Sequence, residues 1–87
     1  MPHVLVRSKV QDFAKWKVKY DEHLGARKAA GLTERNVFRN ADDPNEVILL
    51  FETIDLGKAR AFTSSDELRQ KMQESGVTGK PDIYFLT

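Results

Sequence analysis

His23 lies three residues after Tyr20 and seven after Trp16, so all three share roughly one face if the segment is helical, and Arg27 follows one turn later. An imidazole beside an apolar stripe can act as general acid or base, or anchor a ligand. It can equally be a helix-edge side chain bonded to a neighbour or to water. Trp16 and Tyr20 can line an aromatic pocket that stacks on a planar molecule, or simply fill a thin core. Further along, Asn36, Phe38 and Asn40 alternate with Arg35, Val37 and Arg39. Turned inward, Arg39 would suit an anionic or enolate ligand; turned outward, it is an edge charge that deters aggregation. His23, Tyr20 and Arg39 are therefore the candidate catalytic groups. Candidate ligand contacts are Trp16, Arg27, Asn36 and Phe38, joined by Phe51, Phe62, Met72 and Tyr84. Of these, Phe51, Phe62 and Met72 read as core first, as does Leu68. Tyr84 can serve either the pocket or a contact between chains. His3 begins a strand and reads as structural.

The two histidines lack metal-ligand spacing with any carboxylate, and no cysteine is present, so neither a metal nor a cofactor is expected. No Ser-His-Asp set can be argued, because one His among many hydroxyls always allows one to be drawn. The absence of cysteine also removes disulfides, thiolate nucleophiles and iron–sulfur clusters. A reducing cytoplasm is the expected location. Fourteen basic and thirteen acidic residues leave a net charge of +1, which argues against nucleic acid as the main partner. The cluster Lys15, Lys17 and Lys19 reads as a solvated helix face. No signal peptide is expected from the opening residues, and no apolar run approaches the ~20 residues needed to span a bilayer.

The elements that must position these groups follow from periodicity. Eighty-seven residues make one expected domain, 1–87, which buries roughly 60–65% of its unfolded surface and so has a thin core. His3 to Lys9 reads as a strand around Val4-Leu5-Val6. Asp12 caps a helix from Phe13 to Ala30 that stops at Gly31, with Phe13, Trp16, Tyr20 and Leu24 as its apolar stripe. Lys17 and Asp21 form a favourable pair one turn apart, and Gly25 costs that helix about 1 kcal/mol. Leu32 to Asn40 is a second strand, Ala41–Asn45 a turn, and Glu46 to Thr53 a third strand. Asp55 caps a short helix from Leu56 to Thr63. Ser64 and Glu67 form a capping box that opens another helical stretch to Glu74. Ser75–Pro81 reads as a loop and Asp82–Leu86 as the last strand.

The resulting βαββαβ order predicts an α+β, ferredoxin-like fold. It is a four-stranded antiparallel sheet of order 4-1-3-2, with the helices on one face. Its strands are apolar on both faces. Val47, Leu49 and Phe51 point one way, Ile48 and Leu50 the other; Ile83 and Phe85 oppose Tyr84 and Leu86. A half-solvated sheet would alternate apolar with polar. Helices cover one face only, so a second copy of the chain is expected on the other.

Elimination narrows the family. Strand three, Glu46 to Thr53, lacks the stacking aromatics of an RNA-recognition motif. No Gly-rich loop follows a strand to cradle phosphate. The opening His3-Val4-Leu5-Val6-Arg7 and the run Asp12-Phe13-Ala14-Lys15-Trp16-Lys17 resemble the dimeric α/β-barrel superfamily, near the antibiotic-biosynthesis-monooxygenase-like proteins. Further matching stretches are Tyr20-Asp21-Glu22-His23, Arg27-Lys28-Ala29-Ala30-Gly31, Asn45-Glu46-Val47 and Ala59-Arg60-Ala61-Phe62-Thr63-Ser64-Ser65. The resemblance covers nearly the whole chain. It implies a barrel of two chains packed sheet against sheet, with a pocket between helices and sheet in each. The family's oxygenases act on polyketide quinols without metal or flavin, because a substrate carbanion can itself reduce oxygen. The haem-degrading branch uses a His on the second helix with an Asn on strand one. Here Leu56–Glu74 has no His and strand one no Asn, so haem degradation is not expected. Three functions remain: a cofactor-independent monooxygenase or cyclase on an aromatic or polyketide-like substrate; a non-catalytic, small-ligand-binding or stress-related homodimer; and a structural dimer whose pocket its own side chains fill.

Overall fold

Period-two alternation and period-four stripes divide the chain as composition suggests. In a computed structural model describing residues 1–87, four strands form the sheet: β1 (His3–Val10), β2 (Leu32–Asn40), β3 (Asp43–Thr53) and β4 (Val77–Leu86). Four helices, α1 (Phe13–Glu22), α2 (Leu24–Ala29), α3 (Leu56–Thr63) and α4 (Asp66–Glu74), lie on one face. Strand order is β2-β3-β1-β4 with every neighbour antiparallel, which is the expected 4-1-3-2 order read from the other edge. No helix is long and apolar enough to cross a membrane.

Several boundaries differ from the sequence reading. The expected single helix 13–30 breaks at His23, whose φ of −95° and ψ of 13° depart from helical values. Tyr20 and His23 close a tight last turn, N–H to O at 3.2 Å, and Gly25 just beyond weakens any continuation. Leu24, assigned to the apolar stripe, is consequently exposed. Asp12 does cap α1, accepting from Lys15 N–H, and Gly31 ends the segment at φ 78°. The expected turn 41–45 shrinks to Ala41-Asp42, because Asn40 already pairs with Asp43. The expected loop 75–81 is mostly strand: Val77 and Thr78 pair with Val10 and Lys9. A register shift opposite Arg7–Lys9 takes up the intervening residues, with Gly79 at φ 70°. The cap of α4 is Ser65, whose Oγ accepts from Leu68 N–H, rather than Ser64, whose hydroxyl donates back to Arg60 O.

The core lies between sheet and helices. Val4, Val6, Val47, Leu49 and Phe51 supply its floor; Trp16, Tyr20 and Ala59 cover it. The cover is uneven, since α3 buries only Ala59 and α4 buries no residue fully. On the opposite face, cross-strand neighbours Asn36, Leu50, Leu5 and Tyr84 make one row across all four strands, and Phe38 stands beside Ile48. Phe38 and Tyr84 are each 50% exposed, and nothing in the chain covers this face. Its margin carries ion pairs, Arg7 to Glu46 at 2.7 Å and Arg35 to Glu52 at 3.3 Å.

Candidate functional site

The uneven helical cover leaves a cavity of about 750 Å³ over the sheet. Val4, Val6, Leu49 and Phe51 form its floor, Trp16, Tyr20, His23 and Arg27 one wall, and Phe62, Leu68 and Met72 the other. Its volume falls in the range of small-molecule sites, and its lining is mostly apolar with a few polar groups, as such sites usually are. The chain's own side chains therefore do not fill it.

One wall is a continuous stack. Arg27 lies over the Tyr20 ring at 3.7 Å, Tyr20 stacks on Trp16 at 4.7 Å, and Trp16 meets Phe13 at 5.7 Å. Arg39 closes the far end, 4.0 Å from the Phe13 ring. Arg27 makes its contact with Tyr20 across the break at His23, from the first turn of α2. Its Nη1 donates to Tyr20 O at 2.7 Å, sharing the carbonyl that the last turn of α1 also uses.

Tyr20 Oη donates to Glu34 Oε1 at 2.7 Å. Burial pushes the phenol well above its usual range; the hydrogen bond to Glu34 and that carboxylate's charge add to this, while Arg27 pulls the other way. The phenol is thus held protonated as a donor. His23 is half-buried on the cavity wall, and its imidazole makes no hydrogen bond or ion pair within the chain.

Arg27 is only 7% exposed and takes part in none of the chain's five ion pairs. A cation over a ring contributes up to about 2 kcal/mol when desolvated, whereas taking the charge out of water costs several kcal/mol. Ring and carbonyl leave part of that cost unmet.

The sequence-derived residues divide cleanly in space. Trp16, Tyr20, His23, Arg27, Phe51, Phe62 and Met72 line the cavity. Arg39 does not: it faces the helix side, but it caps Phe13 and donates to Pro44 O. Asn36, Phe38 and Tyr84 are corrected to the open face, in register with Leu50, Ile48 and Leu5. Simple alternation from Leu32 fails because register shifts between Glu34 and Asn36. That shift puts Val37 on the helix side together with Glu34; the pairing of Glu34 with Tyr20 joins residues fourteen apart and was not legible from either segment alone. Ser8, buried on the cavity floor, was also missed; a single Ser in an alternating strand carries no signal of its own. No three His, Asp or Glu side chains stand together in a way that could hold a metal ion.

No family model matches the chain, and no curated protein matches it. Solved structures do share its fold. A protein provisionally named an antibiotic biosynthesis monooxygenase, from Bordetella bronchiseptica, superposes with a TM-score of 0.80 at 12% identity, over 99% of this chain and 94% of that one. A second, from Caulobacter crescentus and provisionally given the same name, has a TM-score of 0.72 at 16% identity, over 98% and 86%. SnoaB from Streptomyces nogalater, described as a cofactor-independent oxygenase, has a TM-score of 0.68 at 11% identity, over 95% and 89%. The fold is that of the antibiotic-biosynthesis-monooxygenase-like proteins.

Proposed function

We propose that this chain, built on the antibiotic-biosynthesis-monooxygenase-like fold, is a homodimeric small-molecule enzyme that oxygenates or cyclises a planar aromatic or polyketide-like substrate without a cofactor. The observation that carries the reading is the open, mostly apolar cavity walled by the Trp16–Tyr20 stack, with the unpaired imidazole of His23 at its side. A planar ligand would lie along that stack, where ring–ring contact adds about 0.5–1.5 kcal/mol to simple burial. His23 would take a proton from an acidic carbon of the substrate. The carbanion would transfer electrons to dioxygen and form a carbon–oxygen bond, giving a hydroperoxide at that carbon. Breaking its O–O bond with loss of water leaves a carbonyl, so one CH₂ and one O₂ become one C=O and one H₂O. The solved neighbour described as a cofactor-independent oxygenase supports this chemistry by likeness of fold alone.

The second chain would sit on the open face, where Leu5, Ile48, Leu50 and Tyr84 lie uncovered. A second functional reading, a non-catalytic binder, is favoured by one observation. Tyr20 is committed to Glu34, which leaves His23 as the one uncommitted proton acceptor on the stacked wall. Oxygen uptake with aromatic quinols separates the two. A catalyst consumes oxygen in proportion to product, and His23→Ala lowers the rate by roughly 10²–10⁴-fold, the usual contribution of a general base. Uptake unchanged in His23→Ala removes the role given to His23. Saturable binding with neither oxygen uptake nor ring closure selects the binder.

A further inference from the structure

We infer that Arg27 forms an anion subsite in the cavity, and that the natural ligand is a planar aromatic molecule bearing a carboxylate. The inference rests on the planar-ligand reading above and names the group that reading leaves open. Arg27 is more than nine-tenths buried and lines the cavity. Of its five N–H donors, the chain engages Nη1 alone, through Tyr20 O. Its π face is taken by the Tyr20 ring, so its free donors lie along the guanidinium edge. A planar fork presented edge-on matches the two oxygens of a carboxylate.

The protein's own carboxylates do not meet this need. Glu34 holds the Tyr20 phenol and makes no ion pair with Arg27. Glu22 and Glu67 line the cavity but are exposed, and Glu22 pairs with Lys19 at 3.7 Å. Lys71 also lines the cavity, half-buried and outside every ion pair, so the other free cation adds to the same field. A buried cation with an unfilled fork beside a stacking wall suits a ring that carries its anion in the ring plane. The ring would lie along Trp16 and Tyr20, and its carboxylate would reach the Arg27 edge.

The test is calorimetric titration of the chain with naphthoate and with naphthamide, which match in shape and differ in charge. Naphthoate should bind at least about tenfold tighter, since charge-assisted hydrogen bonds are roughly twice as strong as neutral ones. Arg27→Met should erase that preference by weakening naphthoate binding far more than naphthamide binding, and Arg27→Lys should keep part of it. Equal binding of both compounds by the unsubstituted chain overturns the anion subsite and leaves the planar-ligand reading standing. Binding of neither compound defeats both. A preference that survives in Arg27→Met moves the anion to Lys71 and overturns the assignment. If Arg27→Met fails to fold, the pair on the unsubstituted chain and on Arg27→Lys still decides.

Discussion

Glutamate in place of Leu50 is expected to turn a dimer into a folded monomer. Leu50 sits in the row Asn36–Leu50–Leu5–Tyr84, at the middle of the uncovered face. Within one chain it is only half-buried, so the substitution leaves the fold intact. In a twofold dimer the same substitution acts twice. Each copy loses apolar burial of about 1.5–3 kcal/mol and brings a carboxylate whose desolvation costs several more. Even about 3 kcal/mol per copy sums to about 6 kcal/mol, or roughly four orders of magnitude in Kd. Light scattering on an eluting peak at micromolar concentration should therefore give about twice 9.9 kDa for the unsubstituted chain and about 9.9 kDa for the Leu50→Glu variant. A monomeric mass for both sinks the dimer. A dimeric mass for both leaves the dimer but moves it off this face.

Trp16→Ala is expected to cost about 3–5 kcal/mol of stability. Trp16 is 4% exposed and is held between Tyr20 and Phe13, so its loss interrupts the ladder from Arg27 to Arg39. Domains of this kind hold roughly 5–15 kcal/mol in total, so the loss is a large share. Trp16→Phe keeps a ring in the stack and should recover most of it. Urea unfolding at one fixed protein concentration is the appropriate measure, because the midpoint of a dimer would depend on concentration. A loss below about 1 kcal/mol would mean that Trp16 is chiefly cavity wall, with little part in the core.

The sheet was the most legible part of the chain. Val4, Val6, Leu49 and Phe51 stand on one side and Leu5, Ile48 and Leu50 on the other; short length, flanking turn residues and β-branched content mark such unbroken apolar runs as strands. Helix caps at Asp12 and Asp55 were legible for the same local reason: each carboxylate accepts from N–H groups two or three residues on. What escaped was non-local. The register shift after Glu34 depends on pairing with Phe51 and Leu50, and nothing in residues 32–40 announces it. It decides that Val37 and Arg39 face the helices while Asn36 and Phe38 face the open side. The break at His23 was missed because the apolar stripe continues through it to Leu24. Arg27 contacts both the ring and the carbonyl of Tyr20 across that break. The cluster Trp16, Tyr20, His23 and Arg27 was found from spacing, but spacing does not encode the break at His23 that lies within it.

The proposed function divides the sheet between two tasks, a ligand on the helix side and a second chain on the other. Chemical-shift mapping of the labelled chain during titration with naphthol tests that division directly. Saturable shifts should concentrate at Trp16, Arg27, Phe62 and Met72, while Phe38, Tyr84 and Leu86 stay in place. Shifts confined to Phe38, Tyr84 and Leu86 would put the ligand on the open face and contradict the account.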